Sequence, residues 1–299
     1  MKRLTSTARP AALCALAASA CALLFAAHQA AASRQRVDPR PPLAPAADWW
    51  AFQTPRKSAP PRVQGAASAI DAFLLQSLRA KGLAFAPIAD RRTLLRRVTF
   101  GLTGLPPTPE EMAAFLADRT PGAYARVLER LLASPRYGER WASHWLDLAR
   151  YAETDGGEHN HPRTNAWPYR DYVIDALNRD LPYDQFIREQ IAGDVLQPQD
   201  PKSIAATGFL VAGPWDEVSA NLNQDPLMRK MARMDELDDM VTATAATFLG
   251  LTVNCARCHD HKFDPIPARD YYRMAAALSG VRFGERSLAT DAEQAAHDA

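Results

Sequence analysis

Residues 225–250 read DPLMRKMARMDELDDMVTATAATFLG, and within them Met234, Leu237, Val241, Ala245 and Phe248 recur every three to four positions. That period lines the five side chains along one face of an α-helix, which turns once every 3.6 residues. The spacing predicts a long helix from about Asp225 to Leu249, with this stripe turned inward and Gly250 ending it. The same period extends upstream. Ile70, Phe73, Leu74 and Leu78 predict one helix, closed by Gly82; Leu94, Leu95 and Val98 predict a second, strongly basic one. Thr108-Pro109-Glu110-Glu111 has an N-cap, a proline suited to the first helical position and a glutamate that completes a capping box. Met112, Phe115 and Leu116 form the buried stripe that follows. Tyr124, Val127, Leu128, Leu131 and Leu132 predict the next helix, ending near Ser134-Pro135.

Trp141, His144, Trp145 and Leu148 stand at i, i+3, i+4 and i+7, which puts His144 on an apolar face between two tryptophans. A polar loop over 153–165 contains Asp155, Gly156, Gly157, Glu158, His159 and His161. Helices resume around Tyr169 to Leu177 and Tyr183 to Leu196, before a Gly- and Pro-punctuated stretch from Gly208 to Pro214. No alternating strand pattern and no internal repeat is visible. The expected fold is all-α, an irregular multi-helix domain with long Pro-rich loops.

The N-terminus reads as an export signal. Lys2, Arg3 and Arg9 precede an apolar run from Ala11 to Ala27, and small residues close it at Ala30-Ala31-Ala32-Ser33. This predicts a signal peptide over 1–32, cut after Ala32, and a periplasmic or secreted protein. The run is short and alanine-rich for a membrane anchor, which needs about 20 strongly apolar residues. Lipid attachment at Cys21 ranks last, because Ala22-Leu23-Leu24-Phe25 is a poor lipoprotein start. Residues 33–66 predict a Pro-rich tether, with Trp49, Trp50 and Phe52 docking onto the body. The helical domain is expected over 67–284 and a polar tail over 285–299. A formal net charge of +1 makes no electrostatic case for nucleic acid or an anionic membrane.

Of four cysteines, Cys14 and Cys21 fall in the signal, so the mature chain keeps only Cys255 and Cys258 and is not built on a disulfide framework. Cys255-Ala256-Arg257-Cys258-His259 has the spacing of covalent haem attachment. Two thiols three residues apart reach the two vinyl groups of one haem c, and the adjacent imidazole serves as proximal iron ligand. Two alternatives remain at this point: zinc or another divalent metal on the cysteines with His259 or His261, and a small disulfide. His261 lies too near His259 to reach the opposite face of the same iron. A sixth ligand is therefore expected from upstream. His144 is the first candidate, followed by His159, His161 and the methionines of the long helix; an open position is the alternative. A hydrogen-bonded core histidine is the plain reading of His144. Asp235 and Asp239 read as a solvated helix face.

Several long runs together resemble a known family. They are Arg96-Arg97-Val98-Thr99-Phe100-Gly101-Leu102-Thr103-Gly104-Leu105-Pro106-Pro107-Thr108-Pro109, Ser134-Pro135-Arg136-Tyr137-Gly138-Glu139-Arg140-Trp141 and Trp167-Pro168-Tyr169-Arg170-Asp171-Tyr172. With Asp235-Glu236-Leu237-Asp238-Asp239 and the stretch from Cys255 to Ile266, they are similar to the planctomycete cytochrome C-associated domain of unknown function, over about residues 49–284. The resemblance implies an exported bacterial protein, often encoded near sulfatases and polysaccharide-degrading enzymes. It also implies a second, larger domain in many relatives, so this chain is expected to be truncated or naturally short. Its partner would be a periplasmic redox protein or that missing C-terminal domain. Two functions follow. One is an electron-transfer module or accessory domain of a periplasmic system linked to polysaccharide degradation. The other is a non-haem metal-dependent enzyme or accessory domain drawing on His144, Asp147, Asp155, His159, His161, Asp238, His259, His261 and Asp264. No nucleophile motif or phosphate loop points to a particular reaction.

Overall fold

Ser68, Asp90, Thr108, Ser134, Asp200 and Asp225 each turn a side-chain oxygen onto a backbone N–H two or three residues ahead, and a helix starts at each. The structure is a computed structural model and describes residues 48–157, 159–221, 224–289 and 291–297. The expected signal peptide and the first part of the tether lie outside the described residues. In chain order the helices are α1 (Ala69–Arg79), α2 (Arg91–Thr103), α3 (Pro109–Ala117), α4 (Ala123–Leu132), α5 (Pro135–Ala149), α6 (Trp167–Asn178) and α7 (Tyr183–Leu196). They continue with α8 (Pro201–Ala206), α9 (Gly208–Val211), α10 (Glu217–Ala220), α11 (Pro226–Thr244), α12 (Ala268–Ala277) and α13 (Asp291–His297). Among the described residues the only β pairing is an isolated antiparallel bridge, Thr154 to Pro162. The fold is all-α. No described helix is long and apolar enough to cross a membrane.

The chain divides into two units, Met1–Gln53 with Phe263–Pro265 and Thr54–Lys262 with Ile266–Ala299. In the first, Trp50–Phe52 form a 3₁₀ turn and Trp50 is 79% exposed. The helices named above all belong to the second. Its largest buried cluster gathers α5 to α9 around Trp145, whose ring lies 4.7 Å from that of Phe186 and 5.9 Å from that of Phe248. A tryptophan this far inside needs a partner for its N–H. Here Trp145 Nε1 donates to Gln190 Oε1 at 2.8 Å, and the Tyr169 hydroxyl donates to the same oxygen at 2.9 Å. Smaller clusters form around Leu95, Phe115 and Ala123, and around Val241, Ala256 and Tyr271.

Local signals were read correctly. The capping box is present, with Glu111 N–H donating to Thr108 Oγ1 at 3.2 Å and Thr108 N–H to Glu111 Oε2 at 2.9 Å. Gly82, Gly104 and Gly250 turn the chain in left-handed conformations after their helices. Several expectations need correction. Ser134-Pro135 not only closes α4 but starts α5, as N-cap and first helical residue. The Gly- and Pro-punctuated stretch from Gly208 begins with helix α9. The long helix changes to a π-turn over Ala245–Leu249 before Gly250.

The larger corrections concern which face is buried. In α1 the buried residues are Ala72 and Leu75, while Ile70, Phe73 and Leu74 are exposed. In α5 the buried residues are Gly138, Ala142 and Ala149, with Trp145 and Leu146 partly covered; Trp141, His144 and Leu148 face outward. The physical reason in α5 is close approach. Gly138 N–H donates to Asn178 Oδ1 at 2.8 Å, and a Cβ at Gly138 would run into that amide. Small residues let the backbone of α6 come near, and that packing outweighs the bulk of the alternative stripe.

Candidate functional site

The cysteine motif is built from behind. After the left-handed turn at Gly250, residues Val253–Arg257 form a 3₁₀ helix. Residues three apart in a 3₁₀ helix share a side. Val253 and Ala256 both point inward, into a cluster with Val241, Ala245, Ile266, Tyr271 and Ala275. Cys255 and Cys258 are left on the outside, exposed and with free thiols. The two residues between the cysteines are thus anchors, one apolar and one charged. Arg257 Nη2 donates to Asp235 Oδ1 at 2.7 Å and Nη1 lies 3.1 Å from Asp238 Oδ2. The hydrogen bond to Asp235, and then the charge of Asp238, hold the guanidinium above its ordinary pKa despite its partial burial. The Tyr271 hydroxyl donates to Asp238 Oδ1 at 2.6 Å, and that of Tyr272 to the Arg257 carbonyl at 3.0 Å. Burial, and next the bond to Asp238, push the Tyr271 phenol up.

His259 is exposed, and its Nδ1 lies 2.7 Å from the Asp260 carbonyl oxygen. A carbonyl only accepts, so Nδ1 carries the hydrogen and Nε2 presents its lone pair. That is the tautomer a metal-ligating histidine requires, with the second nitrogen oriented by a backbone carbonyl. Asp260 is itself fixed, its Oδ1 accepting from Ala268 N–H at the start of α12 at 2.8 Å. These residues fit covalent haem attachment in donor chemistry: two accessible thiols, one imidazole in the binding tautomer, and a backbone pinned on its inner side.

The other expected ligands part company. His261 is buried, with Nε2 3.0 Å from Thr252 Oγ1 and its N–H donating to the Ile266 carbonyl at 2.8 Å. It therefore faces inward while the thiols face out. His144 lies on the outer face of α5, edge-on to Trp141 at 5.6 Å between ring centroids, so the expectation of a core-facing imidazole is corrected. Asp235 and Asp239 are not merely solvated. Asp235 holds Arg257, and Asp239 pairs with Arg150. Asp155 is committed to Arg163 at 2.6 Å. Asp147 is exposed, and Asp264 belongs to the first unit. His159 and His161 come together with Glu217 from α10, the only group of three or more such ligands gathered among the described residues. Sequence reasoning missed Glu217 and Thr252. Glu217 carries no local mark, whereas Thr252 lies close before the motif and was open to being read as its support.

The family model PSCyt2, a protein of unknown function (DUF1549), matches residues 69–283. No curated protein and no solved structure matches the chain.

Proposed function

The chain belongs to PSCyt2, the planctomycete cytochrome-associated family of unknown function, and from that premise we propose that it is an exported c-type haem-binding protein. It acts as an electron-transfer module or accessory domain of a periplasmic system linked to polysaccharide degradation. The observation that carries this reading is the outward presentation of Cys255, Cys258 and His259 on a turn whose inner side is packed through Val253 and Ala256. Cys255 and Cys258 would hold the haem through thioethers, each thiol giving its sulfur to one vinyl carbon and its hydrogen to the other, so that no oxidant or reductant would be consumed. Bound haem would supply a one-electron couple. His259 Nε2 would be the imidazole donor to the haem iron, with Nδ1 oriented by the Asp260 carbonyl. Arg257, held between Asp235 and Asp238, keeps the backbone between the cysteines in place. The basic signal segment, Ala-rich run and small residues before Ser33 support export, and covalent haem attachment is an extracytoplasmic process consistent with it. His144, on the outer face of α5, has no part in this reading.

The test is to produce the full chain, signal included, in a host with active c-type haem maturation. Haem staining on a denaturing gel and a visible haem spectrum are expected from the wild type, and no stain from Cys255→Ala/Cys258→Ala. Unstained wild-type protein beside a stained control cytochrome overturns the reading.

A further inference from the structure

The loop between α5 and α6 meets the segment before α11 and carries a second set of ligating groups. We propose that His159, His161 and Glu217 bind a divalent first-row transition ion of the zinc class, with a coordination position open to water. This inference does not rest on the haem reading.

Three observations carry it. First, the ligating atoms of the three residues all lie within 4.8 Å of one another. His161 Nε2 is 3.4 Å from Glu217 Oε2, which matches the edge of a tetrahedron with bonds of about 2.0–2.1 Å. His159 is exposed at the loop surface, so rotation of its side chain closes the remaining distance. Second, Glu217 Oε2 is shielded from water yet makes no hydrogen bond. The neighbouring His161 Nε2 does not hydrogen-bond it, and a cation held between the two would satisfy both atoms.

Third, both backbones are already in place, so the site does not depend on a mobile loop closing. The Asp155 N–H donates to the His161 carbonyl at 3.0 Å, and the Arg163 N–H to the Glu153 carbonyl at 2.8 Å. The His161 N–H donates to the His159 carbonyl at 2.7 Å, which sets the two imidazoles on one tight turn. Arg163 then fastens the loop to the segment leading to Glu217. Its Nε pairs with Asp155, and its other nitrogens donate to the carbonyls of Ala212 at 3.2 Å and Gly213 at 2.9 Å. From the other side, Trp215 N–H donates to the Asp155 carbonyl at 2.9 Å. Gly156 and Gly157 make the required left-handed turns, φ 70° and 80°. The donor set decides the metal class: two imidazoles with one carboxylate suit zinc and its neighbours, whereas calcium and magnesium take oxygen ligands.

The test uses the full chain with its haem-attachment residues intact. Zinc is supplied in the growth medium, metal content is measured after desalting, and the zinc coordination shell is read by X-ray absorption. About one zinc per chain is expected, in a shell of nitrogen and oxygen without sulfur. His161→Ala and Glu217→Gln should each lower zinc affinity by more than about tenfold, while His144→Ala, on the outer face of α5, leaves it unchanged. Glu217→Gln keeps the side-chain shape and helical circular dichroism checks its fold, so it decides the matter if His161→Ala does not fold. Sulfur in the zinc shell, or zinc content unchanged in Glu217→Gln, overturns the proposal; so does wild-type protein that binds no zinc.

Discussion

The turn that carries Cys255 and Cys258 and the loop that carries His159 and His161 are both irregular backbone, yet they are held in opposite ways. The turn is fixed by apolar packing. Val253 and Ala256 disappear into a cluster behind it, and its charged anchor sits near the surface, with the Arg257 side chain 34% and the Asp235 side chain 67% exposed. The loop is fixed by charge. Arg163 and Asp155, each 13% exposed, form an ion pair inside, and the same guanidinium serves carbonyls of a distant segment. An apolar anchor tolerates loss of a surface charge. A buried charged anchor does not, because its partner and the carbonyls are stranded when it goes.

The largest effect is therefore expected at the loop. Arg163→Ala leaves Asp155 and the Ala212 and Gly213 carbonyls without their donor, and a broken buried pair costs about 3–5 kcal/mol, read from a urea unfolding curve. A cost under about 1 kcal/mol, typical of surface pairs, would erase the contrast. Next comes overpacking of the turn. Ala256 is fully buried, so Ala256→Leu should cost about 1–3 kcal/mol and lower the yield of haem-stained protein. Unchanged stability and staining would show that the inner side of the turn is not its anchor.

Tyr271→Phe removes one hydrogen bond to Asp238 while Arg257 stays in place, an expected loss of about 1 kcal/mol at neutral pH. It also bears on pH. Burial first, and then a carboxylate partner, raise Tyr271 and push Tyr151, at the head of the loop, up to about 12. A folded chain that keeps these protons while the unfolded chain loses them near pH 10 contributes stability that is full below about pH 10 and is lost as pH rises toward the folded values. Denaturation midpoints should fall above pH 10, and less steeply in Tyr271→Phe than in the wild type. An equal slope in both would remove Tyr271 from the cause. The smallest change is expected from Asp235→Asn, at most about 0.5–1 kcal/mol, because the aspartate side of that pair is largely in water. A larger loss in thermal unfolding would mean that the turn depends on its charge as the loop does.

Local signals were legible in advance. Thr108, Pro109 and Glu111 act within one helical turn, and their capping box stands as read. Tyr183 to Leu196 has the bounds its pattern predicts, and Leu237, Val241 and Ala245 are buried as their spacing requires. Faces were less legible. Where a helix carries apolar side chains on more than one stripe, periodicity does not choose between them, and bulk misled at Ile70, Phe73 and Trp141. His144 was misplaced with its helix face. Among the candidate ligands, Cys255, Cys258 and His259 were legible because the motif is short and contiguous. The commitment of Asp155 to Arg163 and of His261 to Thr252 was not.

By itself the sequence determined the helical class, most helix starts and stops, and the spacing of two thiols and an imidazole, because these depend on interactions a few residues long. The tertiary structure decided which stripe of α5 packs, that Asp239 meets Arg150, and that Glu217 reaches His159 and His161. Those meetings depend on how closely separate backbones approach, through glycines and alanines at the contacts and through one arginine spanning two segments, and no period along the chain records that distance.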